Sequence, residues 1–251
     1  MTLYGKKMKK IAHGGRTVYG FDIGILMLDT KFPRIPGDVG NALTWNFPVL
    51  YKIVQNAFPE KIVRNPSESD IEPFVQGALE LQNAGVRAIT TSCGFLAMFQ
   101  DVLAARLDIP VFTSSLLQLP FMLKIFPNKK VLILTVDSNS LTTRHIQAAC
   151  GNVDEARYEI VGTENRKYFT KFFVGNTEEA DIEACQNELL DVLEVKLSRG
   201  RHDFGGILLE CTNMPPYSDA IRKKFHLPVY DFVTLTNFVH STYCANGFSQ
   251  K

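Results

Sequence analysis

Short apolar runs alternate with longer segments of helical period along almost the whole chain. The runs 23–28 (IGILML), 48–54, 86–92 (VRAITTS), 110–113 (PVFT), 130–136 (KVLILTV), 158–163, 205–210 (GGILLE) and 228–231 (PVYD) predict strands. Their near-continuous apolar character suits strands covered on both faces. Helical spacing predicts helices over 69–84, 95–107, 140–150, 178–199, 216–225 and about 235–246. Ser69 and Glu72 read as a capping box at the start of the first of these. The stretch 31–46, KFPRIPGDVGNALTWN, holds two prolines and two glycines and reads as a loop leaving the first strand. Strands alternating with helices predict an α/β fold with parallel sheets.

The two halves of this pattern match each other. At an offset of 118 positions Ile89 meets Ile207, Cys93 meets Cys211, Asp101 meets Asp219, Pro110 meets Pro228 and Val111 meets Val229. At an offset of 108, Ile25, Leu26 and Asp29 meet Ile133, Leu134 and Asp137. The shared order is strand, Asp, helix, strand, Cys, helix, Pro-Val strand, which indicates an internal duplication. The expected architecture is two pseudo-symmetric three-layer lobes, residues 1–115 and 116–231, with 232–251 packing back on the first. Ligands of parallel α/β sheets bind at the carboxyl ends of strands. Cys93 and Cys211 both fall there, so one thiol is expected on each wall of a cleft between the lobes.

Composition narrows the class of function. The 251 residues carry a net charge of +1, which lacks the basic excess of a nucleic-acid binder. No apolar run reaches the roughly 18–20 residues of a membrane span, and the basic opening MTLYGKKMKK reads as a frayed tail. Five cysteines without short-range spacing suit free thiols in a reducing compartment, with cytoplasm as the expected location. Cys150, Cys185 and Cys244 lie on helical patterns and read as small core residues. The five histidines, His13, His145, His202, His226 and His240, form no metal spacing, and no nucleotide fingerprint occurs. No metal and no cofactor are expected.

A reactive thiol gains from a helix start, where unpaired N–H groups and the dipole favour an anion. The amides of Gly94, Phe95, Thr212 and Asn213 are candidates for holding a substrate carboxylate. Asp29 and Thr30 end the first strand, and Ser138 follows Asp137 at the matched strand end, so all three are candidate substrate contacts, with ordinary loop capping equally open for Asp29 and Asp137. Ser114, Ser115 and Asp231 follow two other strand ends, where site lining and loop capping are both open. Glu210 neighbours Cys211, but strand alternation should turn it to the opposite face, into a structural pairing. The loop residues Gly37–Asn41 could close over the cleft.

At TSCGF (91–95) and ECTNMP (210–215) the sequence resembles the aspartate/glutamate racemase superfamily, whose members carry one cysteine in an A-C-N-T motif and another in G-C-T. The strand IGILMLDT resembles that family's first strand, and the correspondence extends from about residue 20 over nearly all of the chain. The resemblance implies cofactor-independent chemistry on a small carboxylic acid, amino acid or hydantoin. One cysteine, Cys93 or Cys211, removes the α-proton and the other delivers a proton to the opposite face. Two departures stand out: glutamate racemases have a histidine where Asn213 stands, and Gly94-Phe95 replaces the usual Asn-Thr. The retained pair of cysteines favours a racemase or isomerase over a decarboxylase, which keeps one. The CTN of ECTNMP resembles maleate isomerases, so a single-cysteine isomerase or decarboxylase is the alternative, with a non-catalytic binding protein as a third reading. A homodimer is compatible with the resemblance.

Overall fold

The computed structural model describes residues 14–243. The basic opening, His13, Cys244 and the far end of the last expected helix lie outside the described residues. Eight strands form: β1 (Ile23–Met27), β2 (Val49–Ile53), β3 (Ala88–Thr91), β4 (Val111–Phe112), β5 (Lys130–Thr135), β6 (Tyr158–Gly162), β7 (Phe204–Leu209) and β8 (Val229–Tyr230). Each lies within or against an expected run. They make two four-stranded sheets of order β2-β1-β3-β4 and β6-β5-β7-β8, and every pairing is parallel. The fold is α/β.

The duplication holds down to strand register. Ile25 pairs with Thr90 and Leu26 with Thr91 in the first sheet, while Ile133 pairs with Leu208 and Leu134 with Leu209 in the second. Ile89 opposite Val111 is likewise repeated as Ile207 opposite Val229. These pairs keep the offsets of the sequence match, so the repeat is one of backbone hydrogen bonding and not of composition alone.

Nine α-helices flank the sheets: α1 (Pro59–Arg64), α2 (Ile71–Ala84), α3 (Gln100–Ala105), α4 (Leu119–Ile125), α5 (Thr143–Cys150), α6 (Phe169–Phe173), α7 (Ile182–Leu197), α8 (Ser218–Phe225) and α9 (Phe232–Ser241) among the described residues. α1, α4 and α6 are additions to the sequence expectation. The capping box ahead of α2 is corrected: Asp70 accepts from both the amide and the hydroxyl of Ser67 at 2.8 Å. A tight 3-10 turn over Glu68–Asp70 precedes α2 and moves the cap upstream of Ser69. The helix expected over 95–107 also divides, into a 3-10 segment (Gly94–Phe99) and α3. Five of that segment's six residues are buried, so packing on all sides sets its winding in place of one amphipathic face.

One apolar cluster runs through both halves, joining Leu26, Phe74, Ile89 and Phe95 to Ile133, Leu189, Ile207 and Tyr217. The opposite face of the first sheet is covered separately. There Ile23, Ile25 and Met27, alternate residues of β1, pack with Trp45 of the long loop and with Phe232 and Leu235 of α9. Among the described residues no helix is long and apolar enough to cross a membrane.

Candidate active site

β3 and β7 lie at the second inner position of their sheets and each runs out within two residues of a cysteine. Just beyond the strand ends the amide of Ser92 donates to Leu26 and that of Glu210 to Leu134, both at 2.8 Å. Cys93 and Cys211 follow, 6% and 8% exposed, and both line one small cavity between the halves. About 30 Å³ of it is open to the centres of water molecules, room for roughly two waters. Leu28, Phe32 and Phe95 from the first half and Val136, Phe173 and Val174 from the second make its wall apolar. Phe32 and Phe173 meet edge to face at 5.1 Å, joining the two sides.

The electrostatics depart from the expectation of depressed thiols. Burial, and then the Glu210 carboxylate, push the Cys93 thiol up to about 12, against the pull of the Phe95 and Leu96 N–H groups and the Arg34 charge. Burial and Glu210 likewise hold Cys211 well above the ordinary thiol range. The short 3-10 turns behind the two cysteines, Gly94–Phe99 and Pro215–Tyr217, supply little of the dipole that a long helix would. The N–H groups of Phe95 and Asn213 are directed at the thiols. Two of the four amides expected at a substrate carboxylate are therefore engaged by sulfur.

Glu210 is the main correction. It is fully buried and lines the cavity, and its Oε2 accepts from the Thr135 hydroxyl at 2.8 Å while Oε1 has no partner. Burial pushes its carboxyl up to about 7. Strand alternation fails here because β7 ends at Leu209, one residue earlier. The carboxyl group lies directly against the α-carbon of Gly94, where a β-carbon would come within 2.7 Å of its carboxyl carbon.

The long loop reaches the second cysteine. Asp38, 2% exposed, pairs with Arg34 at 2.6 Å and accepts from Asn213 Nδ2 at 2.6 Å. Asn213 Oδ1 in turn accepts from the Cys211 thiol at 3.5 Å. Val39 donates its amide to the Thr212 carbonyl at 3.5 Å. Gly37, at φ +101°, lies so close that an added β-carbon would sit 2.8 Å from Pro216 Cα. The loop thus closes on the turn that follows Cys211. Arg34 also donates to Thr30 Oγ1 at 3.1 Å and lies over the Phe32 ring at 4.5 Å.

Of the expected site residues, Cys93, Gly94, Phe95, Cys211, Thr212 and Asn213 come together at the cavity. Asp29, Thr30 and Ser138 are not among its lining. Asp29 accepts from the Asn56 amide at 3.2 Å, and Ser138 gives its hydroxyl to Glu164 and lines a separate surface groove. Ser114 and Asp231 cap the segments that follow them, and Ser115 donates to the Leu209 carbonyl at 2.7 Å. Cys150 donates to the Leu116 carbonyl at 3.1 Å and Cys185 is fully buried, both away from the cavity. Sequence reasoning missed Arg34 and Glu210 as site groups, and it placed Asp38 in a loop over the cleft without giving its carboxylate a part there. The available signals were an acid and a base four residues apart in the loop, and a carboxylate closing the apolar run GGILLE.

A family model described as Asp/Glu/Hydantoin racemase matches residues 48–236, and the chain belongs to this family. It is 33% identical over 223 residues to a dimethylsulfoniopropionate lyase of Durusdinium sp. clade D, across 86% of this chain and 73% of that one. It is 31% identical over 223 residues to dimethylsulfoniopropionate lyase 3 of Emiliania huxleyi (strain CCMP1516), across 86% of this chain and 58% of that protein's length. The chain thus spans less than two thirds of the Emiliania relative. Among solved structures, an arylmalonate decarboxylase in a sulfate-associated form superposes with a TM-score of 0.56 at 14% identity, over 91% and 94% of the two chains. An aspartate racemase homologue from Pyrococcus horikoshii OT3 gives 0.54 at 15% identity, over 89% and 99%. These two establish the fold. The family model is described by racemases, whereas these two sequence relatives are named as lyases, so membership of the family does not by itself fix the reaction.

Proposed function

We propose that the chain is a carbon-acid lyase that cleaves a sulfonium propionate of the dimethylsulfoniopropionate type, with Cys93 as base. The observation that carries this reading is one apolar cavity holding both thiols in a chain 33% identical to a dimethylsulfoniopropionate lyase. In the reaction the Cys93 thiolate takes the proton from the carbon next to the carboxylate. The electron pair left behind forms the carbon–carbon double bond, the carbon–sulfur bond breaks, and its pair leaves on neutral dimethyl sulfide. Acrylate remains, and the Cys93 proton passes to solvent before the next turnover.

The electrostatics favour a sulfonium group close to Cys93. A thiol held near 12 is a poor source of thiolate at neutral pH. The sulfonium of such a zwitterionic substrate, about 5 Å from the sulfur at an effective dielectric of about 20, favours the thiolate by about 3 kcal/mol, and the substrate's own carboxylate offsets part of this. Phe32, Phe95 and Phe173 line the cavity, and an aromatic face turned to a bound sulfonium would supply a cation–π contact that a dry pocket strengthens. Once the sulfide leaves, the positive charge is gone and the thiolate is again disfavoured. Opening of the cavity is required for entry, since two waters' worth of space holds no such substrate.

The test is direct. Purified protein given dimethylsulfoniopropionate should release dimethyl sulfide into the headspace and acrylate into solution in equal amounts, and Cys93→Ser should lower the rate at least about a hundredfold. A two-base racemase would instead exchange the α-proton of a chiral acid in deuterated water and expel nothing. Exchange or racemisation of an amino acid without any sulfide release overturns the proposal.

A further inference from the structure

We infer that Asp38 and Asn213 hold Cys211 as a thiol, so that the two matched cysteines have fixed and unequal roles, Cys93 taking protons and Cys211 only offering one. The inference rests on the reading that both cysteines face substrate, but not on the identity of that substrate.

The argument starts from what a carboxylate can do. Asp38 Oδ1 accepts from Arg34 at 2.6 Å and from the Gly40 amide at 2.8 Å, and its Oδ2 accepts from Asn213 at 2.6 Å. Both Asp38 oxygens act as acceptors, so the group that Asn213 turns towards it is the NH₂. That choice fixes the other end of the amide. The Asn213 carbonyl oxygen faces the Cys211 sulfur at 3.5 Å and can only accept S–H. A thiolate in that place would meet a lone pair, so the contact favours the protonated form.

Cys93 stands at the equivalent position and is treated oppositely. The position that matches Asn213 is Phe95, whose side chain has no acceptor. The N–H groups of Phe95 and Leu96 and the charge of Arg34 all favour the Cys93 thiolate, whereas among the main influences on Cys211 the Asn213 amide is the one that acts in that sense. The ionisable groups that act most strongly on Cys211 are Glu210, Cys93 and Asp38, with Tyr217 beside them and Arg34 paired to Asp38 behind Asn213.

The consequence is directional. A racemase that works both ways needs each cysteine to be thiolate in one direction, and the amide carbonyl opposes this for Cys211. Elimination needs one base. Asp38 and Asn213 are positioning residues in this scheme: neither touches the reacting carbon, and they act through the protonation of Cys211. The long loop supplies the lock, because Asp38 reaches Asn213 only while Val39 and Gly37 are seated on the turn after Cys211.

The test follows the two thiols with iodoacetamide across pH, reading each cysteine's peptide by mass spectrometry, with no substrate present. In the wild type the midpoint for Cys211 should lie above that for Cys93. In Asp38→Asn the Asn213 amide is free to turn its NH₂ to sulfur, and the Cys211 midpoint should fall by at least one pH unit, about a tenfold gain in labelling below the midpoint. Asn213→Ala removes the acceptor without breaking the Arg34–Asp38 pair and should move the midpoint the same way, which decides the matter if Asp38→Asn loses its fold. A merely structural role would change the labelling rate at every pH and leave the midpoint in place. An unmoved Cys211 midpoint in folded Asn213→Ala, or a wild-type Cys211 midpoint below that of Cys93, overturns the inference. Failure to release dimethyl sulfide would overturn the proposed function and leave this result standing.

Discussion

Ser92 and Glu210 stand at one and the same place in the two halves of the molecule. Each gives its amide to the equivalent residue of the central strand at 2.8 Å, and each is followed by a cysteine. Three residues on, Leu96 and Met214 both donate to the carbonyls of those cysteines at 3.1 Å. Upstream, Ile89 and Ile207 both donate to the matched prolines, Pro110 and Pro228, at 2.9 Å. The side chains part company at once. Ser92 accepts the Leu28 amide and completes its own half, whereas Glu210 brings a carboxyl into the cavity with one oxygen unpartnered. Gly94 is matched by Thr212, and Phe95 by Asn213. The repeated backbone sets where the thiols stand, and the unmatched side chains set what each can do.

The comparison breaks most severely at Gly94. A methyl group there would overlap both the carboxyl and the backbone carbonyl of Glu210, and a carbonyl cannot swing aside as a side chain can. Gly94→Ala is expected to cost about 3 kcal/mol in urea unfolding. Sulfide release should fall more than about a hundredfold, because the displaced segment carries Cys93. Thr212 already bears a side chain at the matched place, so the demand for glycine belongs to one half only. A loss below about 1 kcal/mol would mean that Glu210 does not hold the approach observed here.

Next in size is the contrast between Glu210 and Ser92. Glu210 ionises near 4.5 in an ordinary setting and near 7 in the folded protein. Below 4.5 both forms are protonated and the group is neutral towards folding. Between these values the folded protein keeps a proton that the unfolded chain has lost, so stability falls as pH rises through the window. Its full extent is on the order of 3 kcal/mol, and it is constant above about 7. Glu210→Gln should remove this slope and leave the variant more stable than the wild type at pH 8, whereas Ser92→Ala should leave the slope as it is. Chemical unfolding at several pH values measures both, and an unaltered slope in Glu210→Gln would remove Glu210 as its source.

Sequence and structure agree where a signal is local and repeated. Runs such as KVLILTV and GGILLE announce buried parallel strands by composition alone, and the offset between the halves is carried by those strands and the cysteines. The short helices α1, α4 and α6, of six, seven and five residues, give too few turns for a period to show. Pro59 and Pro120 also read as breaks in a sequence, although each sits in a first turn where its missing N–H is no loss. The convergence of the two cysteine turns on one cavity is readable in the sequence because strand ends face the ligand edge. Asp29 and Ser138 share that feature but turn to Asn56 and Glu164, partners brought from elsewhere in the fold. The link from Arg34 through Asp38 to Asn213 spans a loop and 175 positions of chain between its last two members, and no local pattern encodes such a contact.

The smallest expected effect sharpens the comparison at Thr212. Its hydroxyl donates to the Ser92 carbonyl at 2.7 Å, a bond from one cysteine turn to the other, and the matched Gly94 has no side chain to return it. Thr212 is 1% exposed, so water does not replace the donor when it is lost. Thr212→Val keeps the volume and the β-branch while removing the hydroxyl, which leaves the Ser92 carbonyl unpaired in the core. A buried unsatisfied acceptor costs about 1–3 kcal/mol, and the low end applies here because the change is nearly isosteric and the carbonyl has neighbours that can shift. The effect on sulfide release should exceed what the lost stability alone explains, since this bond sets the spacing of the two turns that carry the thiols. A Thr212→Ser variant restores the donor and should recover both quantities to near the wild-type level. If Thr212→Val is as active as the wild type in spite of its lost stability, the bond between the turns holds the fold together but does not tune the distance between Cys93 and Cys211.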